Sequence, residues 1–262
     1  MLAAIVDKLP HPIETYYEPF VGGAAVFFHL AAEGRFQRAV LADNNEDLIC
    51  VYRALQKDVE AVIRQLSSYR YEEAQYYEVR DQSPRRSSTR AARIIYLNKT
   101  GFNGLYRVNR AGRFNVPFGR HKNPTICDAT NLRAASKALQ GVELEVADFE
   151  EVCARAKPGD AVYLDPPYVP LSKTSNFTAY SRNPFGEDAH QRLAQVFGKL
   201  HEAGVPCVLS NSDTPLTRQL YAEWESTLVD VPRNINSRAD RRGSIKELLA
   251  VNRPRRSRKR KK

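Results

Sequence analysis

The tetrapeptide Asp165-Pro166-Pro167-Tyr168, placed directly after the apolar run Ala161-Val162-Tyr163-Leu164, has the chemistry to grip an exocyclic amine. It gathers a carboxylate, a proline carbonyl and an aromatic face into one stiff corner. Both prolines fix φ and lack an N–H, so the corner presents acceptors to whatever enters it. A planar base carrying an NH₂ group answers that description. Alone, the tetrapeptide would read as a strand stop, because proline cannot donate to a ladder. A second corner upstream moves the reading toward chemistry.

That corner is Tyr16-Tyr17-Glu18-Pro19-Phe20-Val21-Gly22-Gly23-Ala24-Ala25-Val26-Phe27, which reads as a strand, a glycine turn and the first turn of a helix. Nucleotide-binding βα corners have this layout, with glycines letting the backbone approach a ligand closely. The spacing differs from a dinucleotide fingerprint, and no Gly-Lys-Ser/Thr follows, so a ligand without phosphates is favoured. The next strand, Val40-Leu41-Ala42-Asp43, ends in an acid about twenty residues beyond the glycines, where such folds hold ribose hydroxyls. Asp43 also reads as a helix N-cap, since Asn45-Glu46-Asp47-Leu48 begins a helix. The preceding glycine turn favours the ribose reading.

Strands are expected near 15–20, 39–42, 142–147, 161–164 and 205–210, alternating with amphipathic helical stretches. That alternation predicts an α/β fold with a mostly parallel sheet and helices on both faces. A final pair, 224–230 and 245–251, joined by the basic loop Arg233 to Gly243, reads as an edge hairpin. An insert from Ser68 to Pro124 breaks the pattern. It holds a helix over Tyr71 to Asp81, a polar joint at Ser83-Pro84-Arg85-Arg86-Ser87-Ser88, apolar Ala91 to Leu97 and then a hairpin with Gly112 at its tip. The expected division is a catalytic domain of residues 1–67 and 125–252, a small recognition subdomain at 68–124, and a basic tail at 253–262.

Of 262 residues, 40 are Lys or Arg and 30 are Asp or Glu, a net charge of +10 that points to an anionic partner, nucleic acid first. No apolar stretch of membrane-spanning length and no secretory leader is visible, so no membrane partner is expected. Cys50, Cys127, Cys153 and Cys207 lack C-x-x-C spacing, and the five histidines lack metal-ligand spacing. The reading is a cytoplasmic, monomeric protein with reduced cysteines and no metal. The closing block Arg255-Arg256-Ser257-Arg258-Lys259-Arg260-Lys261-Lys262 repels itself. Attraction to phosphates and simple solubilisation are both open readings of it.

The match becomes specific between the two corners. Leu97-Asn98-Lys99-Thr100-Gly101-Phe102-Asn103-Gly104-Leu105-Tyr106-Arg107 and Gly112-Arg113-Phe114-Asn115-Val116-Pro117-Phe118-Gly119-Arg120 resemble the DNA-reading hairpin of the Dam family. Asn176-Phe177-Thr178-Ala179-Tyr180 and Ser210-Asn211-Ser212-Asp213 fit the same pattern, and the similarity runs in order from Glu18 to Val251. These are S-adenosylmethionine-dependent DNA adenine-N6 methyltransferases of the D12 class, alpha motif order. The resemblance implies a Rossmann-like methyltransferase sheet with a small helical and hairpin DNA-recognition insert. It also implies Asp165, Pro166, Pro167 and Tyr168 as catalytic residues acting on an adenine flipped out of duplex DNA. Glu18, Phe20, Gly22, Gly23, Asp43, Asp148, Phe149 and Asp165 would hold S-adenosylmethionine. Arg107 would read guanine through O6 and N7, with Leu105 and Pro117 on a thymine methyl group. Phe102 and Asn103 would fill the gap left by the flipped base, while Arg113 and Arg120 would contact phosphates. GATC is the implied target, in a bacterial or phage setting that includes restriction-modification.

One departure stands out. Members of the family carry, before the first strand, a segment resembling Lys-Trp-Ala-Gly-Gly-Lys, whereas this sequence begins at Met1-Leu2-Ala3-Ala4-Ile5-Val6 and aligns with the helix after it. The competing expectation is therefore a truncated, catalytically impaired DNA-binding relative. Methylation of RNA or of a protein amine would leave the Phe102 to Arg120 match unexplained.

Overall fold

The structure is a computed structural model and describes residues 1–109, 111–170, 185–232 and 244–254. The Asn176–Tyr180 match, the Arg233–Gly243 loop and the block from Arg255 onward lie outside the described residues. Seven strands form one sheet: β1 Ile13–Glu18, β2 Phe36–Asp43, β3 Glu143–Val146, β4 Ala161–Leu164, β5 Cys207–Ser212, β6 Glu225–Pro232 and β7 Ser244–Asn252. Their order is β3-β2-β1-β4-β5-β7-β6. β1 pairs in parallel with β2 and β4, and β4 with β5, while β7 runs antiparallel to β5 and β6. The expected α/β sheet and its terminal antiparallel pair are both present.

The chain leaves β1 toward β2 on one side and reaches β4 and β5 on the other, so the direction of winding reverses between β1 and β4. Open α/β sheets bind ligands outside the carboxyl ends of the strands at such a reversal. The glycine turn follows β1 and Asp165 follows β4, so the two corners flank that point.

Met1–Asp43 with the described residues from Ala147 onward forms one compact unit. Side chains alternate across its sheet. Tyr17, Val40, Val162, Leu164, Cys207, Leu209 and Ala250 share one face and pack against α7 (Phe149–Cys153) and α8 (Glu187–Glu202) through Phe149, Val152, Leu193 and Phe197. On the other face Tyr16 stacks on Phe36, which stacks on Phe27 of α2 (Ala25–Ala32). α1 (Leu2–Lys8) precedes β1, and α9 (Pro215–Leu220) opens with a capping box on Thr214.

The second unit, Asn44–Val146, is mainly helical. It contains α3 (Glu46–Ser67), α4 (Glu73–Asp81), α5 (Ser87–Thr100) and α6 (Ala129–Ala138). Asn45 caps α3 by accepting from the Asp47 N–H, and a kink at Asp58 restarts that helix, with the Asp58 carboxylate accepting from Ala61. Two local expectations need correction. The polar joint does not stay outside the helix: Ser87 and Ser88 already belong to α5, whose N-cap is Arg86. The hairpin is not a continuous ladder: among the described residues it is held by the isolated bridges Gly101–Phe118 and Val108–Phe114. A 3-10 turn at Phe102–Gly104, left-handed φ values at Asn103 (54°), Gly104 (62°) and Gly112 (75°), and Pro117, which has no N–H to donate, replace regular pairing.

Candidate active site and recognition loop

Alternation along the strands decides which groups meet. Tyr16 and Glu18 on β1, Tyr163 and Asp165 on and after β4, Ser210 on β5 and Glu247 on β7 all project from one face. β7 runs opposite to β5, so Glu247 stands across from Ser212, at the carboxyl end of β5. Several acids and hydroxyls thus converge beside the winding reversal.

Asp165 itself is open to solvent, while Pro166 behind it is buried and Pro167 and Tyr168 are half-buried. The Ser210 hydroxyl donates to Asp165 Oδ1 at 2.7 Å, and the Tyr163 hydroxyl lies 2.9 Å from Ser210 Oγ. The surrounding protein pushes the Asp165 pKa up by weakening hydration of the charge, and hydroxyl donation, first from Ser210, opposes that shift. The Tyr168 hydroxyl donates to Glu247 Oε2 at 3.1 Å, fixing the far end of that ring. Asn211, fully buried, accepts from the Val169 N–H at 3.0 Å and so pins the chain just beyond the corner.

At the other corner Gly22 (φ 43°) and Ala24 (φ 56°) adopt left-handed backbone, an uncommon choice for alanine that costs roughly 1–2 kcal/mol. The Ala24 N–H returns to the Val21 carbonyl at 2.6 Å, closing the turn. Asp43 Oδ2 accepts from the Gly22 N–H at 3.3 Å, so the acid at the end of β2 is tied to the turn itself, and Asn45 rather than Asp43 caps the following helix. A Cβ built on Gly23 would meet nothing within 4 Å, which leaves open space against the backbone there.

Glu18 lies beneath this turn and is only 2% exposed. Its Oε2 accepts from the Tyr16 hydroxyl at 2.8 Å and the Phe27 N–H at 3.2 Å, joining β1 to α2. Burial raises its pKa to about 8, against the lowering effect of those donors. Phe20 stacks on Phe149 (5.3 Å between centroids), and Phe185 meets both rings. Asp148 caps α7 through the Glu150 N–H and pairs with Arg192 at 3.1 Å, the Arg192 guanidinium lying 5.1 Å over the Phe149 ring.

A model of the D12 class N6 adenine-specific DNA methyltransferases matches residues 1–235. The chain belongs to that class. It is 41% identical to the type II methyltransferase M.MjaIII of Methanocaldococcus jannaschii, covering 96% of this chain and 94% of that relative. It is 37% identical to the type II methyltransferase M1.LlaDCHI of Lactococcus lactis, covering 96% and 91%. It is likewise 37% identical to the DNA adenine methylase of Escherichia coli, covering 92% and 87%.

The methyltransferase carries its expected DNA-reading residues on one loop of the second unit. Phe102 is 43% exposed, unusual for so large an apolar ring, and its N–H is held by the Pro117 carbonyl at 2.9 Å. Asn103, Arg113, Pro117 and Arg120 are exposed, and Leu105 and Arg107 are half-buried. Arg107 is not loose: its Nε donates to Asn115 Oδ1 at 2.8 Å and its Nη2 to the Asn115 carbonyl at 3.1 Å. Next to it, the Tyr106 hydroxyl donates to Asp47 Oδ2 at 2.8 Å, and Arg90 pairs with Asp47 and Glu46. On the other limb, Tyr76 and Tyr71 donate to the carbonyls of Val116 and Gly119.

Sequence reasoning assigned no role to Tyr163, Ser210, Glu247, Asn115 or Phe185. For Ser210 and Asn211 a signal existed, since polar residues closing an otherwise apolar strand must find partners inside. Arg107 and Asn115 gave none, because their contact depends on how an irregular loop folds back. Among the described residues no cluster of His, Cys, Asp or Glu is placed to hold a metal ion, and no helix is long and apolar enough to cross a membrane.

Proposed function

We propose that this methyltransferase moves a methyl group from S-adenosylmethionine to N6 of an adenine flipped out of duplex DNA, within GATC. The observation that carries the reading is the solvent-open Asp165 carboxylate, gripped from one side by Ser210 and set beside the glycine turn at the winding reversal.

The residues of the β1 corner fit the cofactor. Open space at Gly23 admits a ligand against the backbone, the Asp43 carboxylate closes the turn where ribose hydroxyls would lie, and Phe20 and Phe149 offer an apolar face to an adenine ring. Asp148 would approach that ring's amine, and Glu18 supports the turn from beneath. Bound there, S-adenosylmethionine supplies an activated methyl group on a sulfonium.

The chain's own contribution is alignment and charge placement. Adenine N6 is a poor nucleophile because its lone pair is delocalised into the ring. Asp165 and the Pro166 carbonyl accept its two N–H bonds, drawing the lone pair out of conjugation and holding it in line for direct displacement. Tyr168 stacks on the target ring. Positive charge developing on N6 is met by the Asp165 carboxylate, whose access to solvent gives the surplus proton an exit.

The region 68–124 serves as the recognition subdomain, with Arg107 on guanine, Leu105 and Pro117 on a thymine methyl group, Phe102 and Asn103 at the vacated position, and Arg113 and Arg120 on phosphates. Supporting this, Asn115 occupies one edge of the Arg107 guanidinium and leaves Nη1 with the second Nη2 proton for a bidentate contact. The test is methyl transfer to duplexes carrying GATC, GAAC, CATC or no adenine. Preference for GATC by about 10-fold or more over single-base variants is expected. Equal transfer to all adenine-containing duplexes would overturn the specificity.

A further inference from the structure

Behind the Ser210 grip on Asp165 lies a second buried hydroxyl, that of Tyr163. Tyr163 is 3% exposed and Ser210 is fully buried, on neighbouring strands and on the same sheet face. Burying two hydroxyls among apolar side chains is costly unless each is bonded. Here they bond to each other at 2.9 Å and then to the one acid the reaction needs, at 2.7 Å. A serine hydroxyl has a single hydrogen. Since Ser210 commits it to Asp165 Oδ1, Tyr163 must be the donor to Ser210, and the chain has a fixed direction.

We propose that Tyr163 and Ser210 are positioning residues, a directed hydroxyl relay that commits Asp165 Oδ1 to the protein and turns Oδ2 toward the target amine. The inference rests on Asp165 being the acceptor of that amine. Without the relay the carboxylate can rotate about its χ2 angle, which is a broad, soft torsion, and present either oxygen. With it, one oxygen is held and the carboxyl plane is set.

The relay also stabilises the charged acid. Among the described residues, the groups that face Asp165 are Tyr16 and Glu18 from β1, Tyr163 from β4, Tyr168 beyond it, Ser210 from β5 and Glu247 from β7. Of these, Glu18 is held protonated up to about pH 8 by burial, so it adds little competing charge at neutral pH. Ser210 is the leading group that lowers the Asp165 pKa against desolvation.

The experiment is the pH profile of kcat/KM, with kcat and the cofactor KM, for Ser210→Ala, Tyr163→Phe, the double variant and Asp165→Ala, each checked by thermal unfolding. Ser210→Ala should move the acid limb to higher pH and lower kcat roughly 10-fold, the worth of a hydrogen bond to a charged group. Its cofactor KM should stay within about twofold. Tyr163→Phe, which keeps the ring and its packing, should move the limb the same way by less, and adding it to Ser210→Ala should change nothing further. Unshifted limbs in both folded single variants, or additive shifts in the double, would overturn the relay. If Ser210→Ala does not fold, Tyr163→Phe alone decides, an unshifted limb counting against the proposal. Residual full activity in Asp165→Ala would instead sink the acceptor assignment. An inactive Asp165→Ala beside wild-type profiles for the relay variants would sink the relay alone.

Discussion

At Glu18, burial and hydrogen bonding pull in opposite directions, and burial wins. Two donors favour the carboxylate, yet removal from water raises its pKa from 4.5 to about 8. The folded state therefore binds a proton that the unfolded chain releases above about pH 4.5. Stability from this group is fully present below that point and is lost as pH rises through about 8. Glu18→Gln, which keeps the shape and removes the titration, should gain in thermal midpoint relative to the wild type between pH 5 and pH 8. A shift of about 2–4 °C is expected for each kcal/mol of difference in a domain of this size. A midpoint difference that stays flat across that range would show that Glu18 is ionised in the fold. The motif around Glu18 was legible in the sequence. Its burial was not, because a glutamate at the end of a strand reads as a ligand-facing acid until the neighbouring tyrosine and helix amide are placed.

Among the elements, the glycine turn and the loop from Gly101 to Arg120 can be tested independently. Gly23 has room for a side chain, so Gly23→Ala should leave the thermal midpoint within about 2 °C of the wild type. If the cofactor lies against that backbone, the same change should raise the KM for S-adenosylmethionine about tenfold, or ~1.4 kcal/mol. An unchanged KM would place the cofactor elsewhere. In the loop, Arg107→Ala should erode discrimination against base changes at the guanine by ~1–3 kcal/mol. Asn115→Ala should do so partially while leaving binding to noncognate duplex nearly unchanged. Competition among duplexes varied at the guanine measures both, and undiminished discrimination in Arg107→Ala would remove it as the reader.

The strands were readable in the sequence because apolar runs such as Ala161–Leu164 and Val205–Ser210 end in sharp turn signals, and β1 through β5 appear within a few residues of their expected places. The loop was readable only as a motif. Its bridges, the brace on Arg107 and the Tyr76 bond to Val116 join residues six to forty positions apart, which periodicity does not encode.

Across the whole molecule, a net charge of +10 couples DNA affinity to ionic strength. Seven of the eight residues from Arg255 to Lys262 are basic. Deleting them should flatten the dependence of log K on log salt and weaken binding to noncognate duplex, while leaving the ratio of methylation rates among duplexes and kcat intact. A slope unchanged by the deletion would assign those residues to solubility alone. The most direct test of adenine-N6 transfer at Asp165 is the identity of the methylated nucleoside. Duplex GATC incubated with the purified chain and isotopically labelled S-adenosylmethionine would be digested to nucleosides and separated by mass. Label in N6-methyladenine, absent with a folded, DNA-binding Asp165→Ala variant, is expected. Label in a methylated cytosine, or N6-methyladenine formed as readily by Asp165→Ala, would contradict it.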